Sequence, residues 1–532
     1  MDQASQEQRI VRSAAIVSLG DVLSRIMGLA REAAIAAVFG AAGAASAFRA
    51  AQKVPLQLYE MLIGGMITSA LVPILSAYAA RDRDDELWHV ASLLFTLGSV
   101  ALGALVLLIE LGAPLLTSAL VHFDDPALQA LTARLLRIVS VSVLFLGLSG
   151  LVTALCQALQ RFALPALSAV AVNASLVFFT LVLGPRWGDV RVLALGWGVG
   201  AALQLLIQLP ALRDMRFRPA FDLRHPALRR ILGLYLPVIL SLIVANLGIL
   251  ADQNLASRVD ERAISWMSFA TTLRQFPLGL VSMAVATVIL PTLSSIAARE
   301  RPAQIENAPS TAAFCATLAN GLKLVVLLTL PAAVGLFVLA RPLVAMLFQH
   351  GAFAAADTQQ TALALRYYLV GLVFAAIDLP LLYAFYARHD TLRPALVGVF
   401  GVGVYLLVAL STYRSLGMVG LIVANDLQLA VHPLILLWLF RRRVGRLDGL
   451  GIGETTAKAM LATALMGGVA YVSMLWIDRV VPGSGFAASA ALVGISGLAG
   501  LITYLGVCAL LRVRELSLVR ISIARALRRE RV

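Results

Sequence analysis

From Ser13 to Leu511 the chain is a succession of apolar stretches, most of them bounded by short arginine-bearing loops. Each stretch is long enough to cross the hydrocarbon core of a bilayer, which takes about 20 residues of helix. Backbone N–H and C=O groups in hydrocarbon must be satisfied within the segment, so stretches of this kind span as helices. Fourteen are counted, centred near Arg25, Gly65, Gly103, Leu144, Asn173, Gly200, Ser241, Gly279, Leu327, Val373, Gly403, Leu429, Gly467 and Leu498. The third runs on through Pro114 into an apolar stretch ending at His122. The expected fold class is an all-α polytopic membrane protein with fourteen transmembrane helices.

Composition agrees with that reading and excludes others. With 60% hydrophobic and 14% charged residues and a mean hydropathy of +0.88, a soluble enzyme is excluded. The first twelve residues are polar, and the first apolar segment is too long and too charged for a cleavable signal. A net charge of +14 could suggest nucleic acid, but the arginines are spread over loops between spans, so no nucleic-acid partner is expected. Cys156, Cys315 and Cys508 lie in apolar segments with neither disulfide nor metal spacing. The six histidines are scattered, and no HExxH, Walker-type or GxSxG pattern occurs. No metal site, cofactor or enzymatic activity is expected.

Loop charge sets the orientation. With a cytoplasmic N-terminus, 26 basic residues fall in cytoplasmic segments and 11 on the opposite side, Arg49 among the latter. Both termini are then cytoplasmic. The tail beyond Leu511, RVRELSLVRISIARALRRERV, has the pattern of an amphipathic helix on anionic membrane lipids.

Val72–Asp82 (VPILSAYAARD) is echoed by Leu290–Glu300 (LPTLSSIAARE), an offset of 218 residues anchored on Pro73 and Pro291. Both copies close a span running in the same direction, the second and the eighth. The echo could be only a common way of ending a span, but the agreement in span order favours a repeat. Two six-helix lobes follow: residues 1–225 with the first six spans and an arginine-rich linker, and residues 226–446 with the next six. Residues 447–532 hold two further spans and the basic tail.

The first span is the unusual one. Ser13–Gly40 carries Asp21, Arg25, Arg31 and Glu32. Ionisable groups at membrane depth are costly and face a protein interior or a wet cavity. Asp21 and Arg25 are spaced i,i+4, the acid first, which suits a local pair. Glu32 points to another face than its neighbour Arg31, so Arg31 is expected to have no local partner. A guanidinium fork holds carboxylate or phosphate through parallel hydrogen bonds. The helix is therefore expected to line a polar cavity for an anionic head group.

Several stretches carry a family likeness. SRIMGLARE contains Ser24, Arg25, Gly28 and Arg31, and is followed by VFGAAGAASAF and SALVPILSAY. FPLGLVSMAVATVILPTLS spans Phe276–Ser294, LFQHGAFAAADTQQTALAL follows the ninth span, and FYARHDTLRP the tenth. In these the chain resembles the lipid II flippases, the MurJ/MviN family of the multidrug/oligosaccharidyl-lipid/polysaccharide exporters. The resemblance implies two lobes about a cationic cavity, with a hydrophobic groove formed with the last two helices. It implies movement of a polyprenyl-diphosphate-linked peptidoglycan precursor from inner to outer leaflet by alternating access, in the bacterial cytoplasmic (inner) membrane. Other cell-wall synthesis proteins are candidate partners, and membrane potential, Na+ or H+ are candidate driving forces.

On that resemblance Arg25 and Arg31 match the two first-helix arginines and contact the diphosphate, with Ser24 beside them. Other positions depart. An acid after the FGAG-type turn falls on Ser46, an arginine of the second span on Tyr59 next to Glu60, an acid of that span on Gly64, and an arginine of the eighth span on Thr272. Arg274 lies two residues on, about 200° round the helix, and is a weaker third substrate contact. Asp252 matches the seventh-span acid of a sodium site, but the eleventh span, 394–413, has no Asp, Glu, Asn or Gln to complete it; pairing with Arg258 or a capping role is the alternative. Asp426 is a candidate proton site, weighed against snorkelling or a structural bond. Lys323, Arg366, Asp378 and Asn425 are further intramembrane polar groups, with a helix kink expected at Pro380 just after Asp378. Asn173, Gln204, Gln208 and Asn246 are expected to join helices.

Three readings stay open at this point: a lipid II flippase, an exporter of another lipid-linked oligosaccharide or amphiphile, and a non-transporting scaffold on the same fold.

Overall fold

The computed structural model describes residues 3–61, 70–79, 84–300, 309–480, 483, 485–513 and 515. Every regular element among them is helical. In chain order these are α1 (Gln3–Phe39), α2 (Gly43–Tyr59), α3 (Val72–Ala79), α4 (Asp84–Leu120), α5 (Pro126–Ser140), α6 (Ser142–Ala158), α7 (Ala163–Phe178), α8 (Gly184–Trp187) and α9 (Arg191–Gln208). There follow α10 (Pro226–Val259), α11 (Ala263–Glu300), α12 (Pro309–Val338), α13 (Ala340–Phe348), α14 (Ala355–Ala387), α15 (Leu392–Leu416), α16 (Met418–Arg443), α17 (Ile452–Val480) and α18 (Phe486–Leu510).

Ten helical segments among the described residues are long and apolar enough to cross a membrane. They coincide with the third to sixth and the ninth to fourteenth of the expected spans. The first, seventh and eighth expected spans form the single helices α1, α10 and α11, of 37, 34 and 38 residues. The second is represented by α2 and α3, its centre (62–69) lying outside the described residues. So does the basic tail from 516 onward. The third span does continue through Pro114 as one helix.

The chain forms two compact units. Unit 1 comprises residues 1–265 with the short segment 350–354, and unit 2 comprises 266–349 and 355–532. Between two helices in lipid there is no gain from leaving water, so association rests on close packing and hydrogen bonds. In unit 1, Ile74 and Leu75 of α3 pack with Leu87 and Val90 of α4 and with Val152 and Leu155 of α6. Polar side chains stitch the neighbouring helices: Gln208 donates to the hydroxyls of Ser149 (2.8 Å) and Ser168 (2.7 Å), and Gln204 to Ser149 (3.1 Å). These two glutamines join helices, as expected. Asn246 does not; its amide donates to the carbonyl of Leu242 in its own helix.

The segment 350–354 shows what one of the family-like motifs does. Ala352 N–H donates to the carbonyl of Ala37 at the end of α1 (2.8 Å). Gly351 has φ +58° and lies so close to that carbonyl that a Cβ would overlap it. Gly40, φ +63°, meets the carbonyl of Ala352 in the same way. Only a residue without Cβ takes both the left-handed conformation and the close approach.

In unit 2, Val285 and Ile289 of α11 pack with Phe314 and Leu318 of α12, Leu381 and Phe385 of α14 and Phe440 of α16. The last two helices join through α12. Met466 of α17 and Cys508 of α18 pack on Leu327, whose carbonyl accepts the Tyr504 hydroxyl (2.7 Å). Lys323 of α12 pairs with Glu515 (3.2 Å), which also accepts from Thr455 of α17, so the chain leaving α18 is tied back to both.

Candidate functional site

In unit 1, Glu32, Arg31 and Arg49 converge where α1, α2 and α7 meet. Glu32 is 2% exposed and its two oxygens are held by different arginines. Arg31 donates to Oε1 through Nη2 (2.7 Å) and Nε (3.2 Å), and Arg49 of α2 lies 2.6 Å from Oε2. Arg31 also donates through Nη1 to Oδ1 of Asn173 on α7 (3.0 Å). Asn173 in turn donates to the carbonyl of Ser24 (3.3 Å), fixing α1 against α7. Two expectations are corrected here. Arg31 has a local partner after all, because a guanidinium on a flexible stem reaches round the roughly 100° that separates adjacent residues on a helix. Arg49 is not a loop charge: α2 begins at Gly43, and Arg49 is buried inside it.

The arrangement is a carboxylate shared by two guanidiniums, with one positive charge in excess. Leaving a buried carboxylate without a counter-charge costs several kcal/mol, and here either arginine satisfies one oxygen. Arg31 has five N–H donors; three make the bonds just described, leaving two directed elsewhere. Its side chain keeps 23% of its surface accessible against 7% for Arg49. Arg31 is therefore the member of the cluster able to take a further acceptor. Arg25 and Asp21 lie earlier on α1 with exposed side chains. Ser24 contributes its carbonyl to the α7 contact.

The departures from the family pattern are also placed. Ser46 is fully buried and shares a hydrogen bond with Ser265 (2.9 Å), a neutral contact where an acid would bring charge. Tyr59 is half-buried and Glu60 exposed; Gly64 lies outside the described residues. The Thr272 hydroxyl donates to the carbonyl of Ser268 in its own helix (3.0 Å). Asp252 is half-buried on α10, and Arg258 donates to Asn254 (2.9 Å). Among the described residues no cluster of three His, Cys, Asp or Glu side chains is placed to hold a metal ion.

In unit 2, Arg274 of α11 stacks over the ring of Tyr368 of α14 at 4.8 Å and donates to Asn425 of α16 (3.4 Å). Asp426 follows, 7% exposed, its carboxylate so close to Gly371 that a Cβ there would overlap it. Further along the same two helices Asp378 contacts His432 at 2.7 Å. His432 was not singled out in the sequence, where a lone histidine in an apolar span carries no spacing signal. Arg366 stacks on Phe337 and donates to its carbonyl.

A groove of about 580 Å³ in unit 1 is lined by Ile138, Trp187, Asp189, Arg191 and Leu195. Its charges satisfy one another: Arg191 holds Asp189 at 2.6 Å, keeping that carboxyl below the usual aspartate range. Unlike the Glu32 cluster, it has no excess charge.

Solved structures define the class. An inward-facing multidrug resistance MATE family transporter of the MOP superfamily superposes with a TM-score of 0.65, over 79% of this chain and 94% of that one, at 15% identity. A lipid II flippase MurJ in an inward closed conformation gives 0.78, over 93% of this chain and 98% of that one, at 22% identity. The fold is thus the all-helical fold that these proteins share. The sequence is more specific. The family model described as lipid II flippase MurJ matches residues 35–490. The lipid II flippase MurJ of Burkholderia cenocepacia is 32% identical over 422 residues, 77% of this chain and 79% of that protein. The probable lipid II flippase MurJ of Vibrio cholerae is 29% identical over 535 residues, 97% of this chain and 98% of that protein. The chain belongs to the MurJ family of lipid II flippases, and is a multi-pass membrane protein.

Proposed function

We propose that this protein is a lipid II flippase, carrying a polyprenyl-diphosphate-linked peptidoglycan precursor from the inner to the outer leaflet of the bacterial cytoplasmic membrane by alternating access. The observation that carries the reading is the shared carboxylate of Glu32. It holds Arg31 in a fixed pose, leaves the cluster with net positive charge, and leaves two N–H donors for an acceptor such as phosphate. In this reading Arg31 and Arg25 contact the diphosphate, with Ser24 beside them. Arg274, oriented by Tyr368 and Asn425, is a third contact. The lipid tail stays in the bilayer while the charged head crosses through protein, so no bond is made or broken. Both termini are cytoplasmic by the distribution of loop arginines. The basic tail lies on anionic lipids, and cell-wall synthesis proteins are the partners such a substrate implies.

The test is rescue of a flippase-depleted cell. Arg31→Ala is expected to abolish rescue while the protein still reaches the membrane; full rescue overturns the assignment. A second reading, another lipid-linked oligosaccharide, draws on the neutral Ser46–Ser265 contact and the back-bonded Thr272. Reconstituted leaflet translocation with defined lipid-linked sugars separates the two.

A further inference from the structure

His432 of α16 is flanked by two acceptors. Its Nδ1 lies 2.7 Å from Oδ1 of Asp378 on α14, and its Nε2 lies 3.2 Å from the carbonyl of Pro394 on α15. A carbonyl oxygen has no proton to give, so Nε2 carries the N–H in that contact. A 2.7 Å contact between Nδ1 and a carboxylate oxygen then requires a second proton between them. The pair is either imidazolium with carboxylate or imidazole with carboxylic acid, and in both forms it is neutral overall. Loss of that proton leaves a single N–H for two acceptors; carried on Nδ1 it keeps the carboxylate, and the longer contact to the Pro394 carbonyl on α15 opens. The geometry seen is the proton-loaded one.

The surroundings concentrate the consequence. Pro433 follows His432 and Pro380 follows Asp378 by two residues, and both are buried inside their helices. Each proline removes one i→i−4 backbone bond, the usual place for a helix to bend. The Asp378–His432 contact therefore bridges α14 and α16 where both are weakest. Gly371 opposes Asp426 and Asp378 opposes His432, so the two helices run parallel, and this is a second close approach along one seam. The part of α16 before Pro433 carries Asn425 and Asp426 beside Arg274; the part after it ends in Arg441, Arg442 and Arg443.

Few other titratable groups face the pair. On α14, Tyr386 is within electrostatic reach of Asp378. On α15, no titratable side chain lies between Pro394 and Tyr405, and Arg393 is held by Asp390. On α16 itself, Asp426 is six residues away, about 9 Å along the axis, and Arg441 nine. Both Asp378 and His432 keep a little accessible surface, 18% and 17% of the side chain.

The geometry points to Asp378 and His432 as a proton-binding pair that ties α16 to both α14 and α15 beside Pro433 when loaded and lets α15 go when the proton leaves, which makes H+ the ion coupled to movement within unit 2. The coupling rests on the transport reading; the proton site does not.

Two measurements on the full-length protein in lipid test it. In ¹⁵N-histidine spectra, with His432 assigned by its loss in His432→Gln, the wild type is expected to show Nε2 protonated and a shared, strongly deshielded Nδ1 proton. Asp378→Asn, whose amide N–H can donate to Nδ1, is expected to hold His432 neutral across about pH 5 to 9, where histidine ordinarily titrates. In proteoliposomes at fixed membrane potential, translocation of a fluorescent lipid-linked sugar is expected to respond to an imposed pH gradient in the wild type and to lose that response in Asp378→Asn. Identical His432 titration in wild type and Asp378→Asn overturns the proton site. An unchanged gradient response in the variant overturns the coupling. If the wild type moves no lipid-linked sugar, the transport reading fails while the spectra still decide the site.

Discussion

Replacing Arg49 by Met tests the central electrostatic argument, because it removes one of the two cations on Glu32 and keeps a long apolar side chain in place. Removing one partner of a buried ion pair typically costs about 3–5 kcal/mol, mostly the penalty of the charge left behind. Glu32 is 2% exposed, but Arg31 would still hold Oε1 at 2.7 Å. Of the two contacts at Glu32, the one at Oε2, 2.6 Å, is lost. Half of the usual cost, roughly 2 kcal/mol, is therefore expected, a factor of about 30 in the folding equilibrium. Glu32→Gln added to Arg49→Met leaves Arg31 as the unpaired cation and should destabilise further, but by less than Glu32→Gln alone, which strips two arginines of their shared partner. The assay is reversible unfolding in bicelles of wild type, both single variants and the double variant, read as a double-mutant cycle. An Arg49→Met variant within about 0.5 kcal/mol of wild type, or Glu32→Gln costing as much in the Arg49→Met background as alone, refutes the reasoning. A second effect follows from charge. One unit charge about 10 Å from a phosphate is worth about 1.7 kcal/mol at an effective dielectric constant of about 20. Arg49→Met should thus weaken binding of a lipid-linked diphosphate by somewhat more than tenfold, with a smaller loss at high salt for any screened fraction.

Asn173→Ala removes the contacts to Arg31 and to the Ser24 carbonyl and should cost about 1–3 kcal/mol in the same unfolding assay; an unchanged value would mean α1 is held against α7 by packing alone. Gly351→Ala forces a Cβ into the Ala37 carbonyl at φ +58° and should lower the yield of folded protein, beyond the roughly 1–2 kcal/mol of the left-handed conformation itself; normal yield and thermal stability would count against this contact. Tyr504→Phe deletes the bond to the Leu327 carbonyl that ties α18 to α12 and should cost about 1–3 kcal/mol, since that carbonyl is then left without its partner. Arg274→Lys keeps the charge but loses the planar stack on Tyr368, and translocation should fall while Arg25 and Arg31 still bind substrate, a split visible as a larger effect on rate than on affinity.

Hydropathy alone made the membrane architecture legible. Span-length apolar stretches have to be helices because lipid offers no other partner for the backbone, so α4 through α7, α9, α12 and α14 through α18 follow from local composition. The first-helix arginines were legible for the same reason: charge at that depth is too costly to retain without a partner or a use. The helix-joining glutamines are likewise a nearly local feature. The partners of the charges are not. Glu32 and Arg49 lie on different helices 17 residues apart, and Asp378 and His432 54 residues apart, with intervening spacing that carries no periodic signal. Which face of α2 turns inward, and which turn of α16 meets α14, is set by side-chain packing between helices, whose energies are small individually and comparable for many registers. Sequence determined which segments are long and apolar enough to enter the membrane; only the packing of one helix on another decided that Arg49 completes Glu32, that Arg31 keeps two donors to spare, and that a histidine sits beside an aspartate next to two prolines.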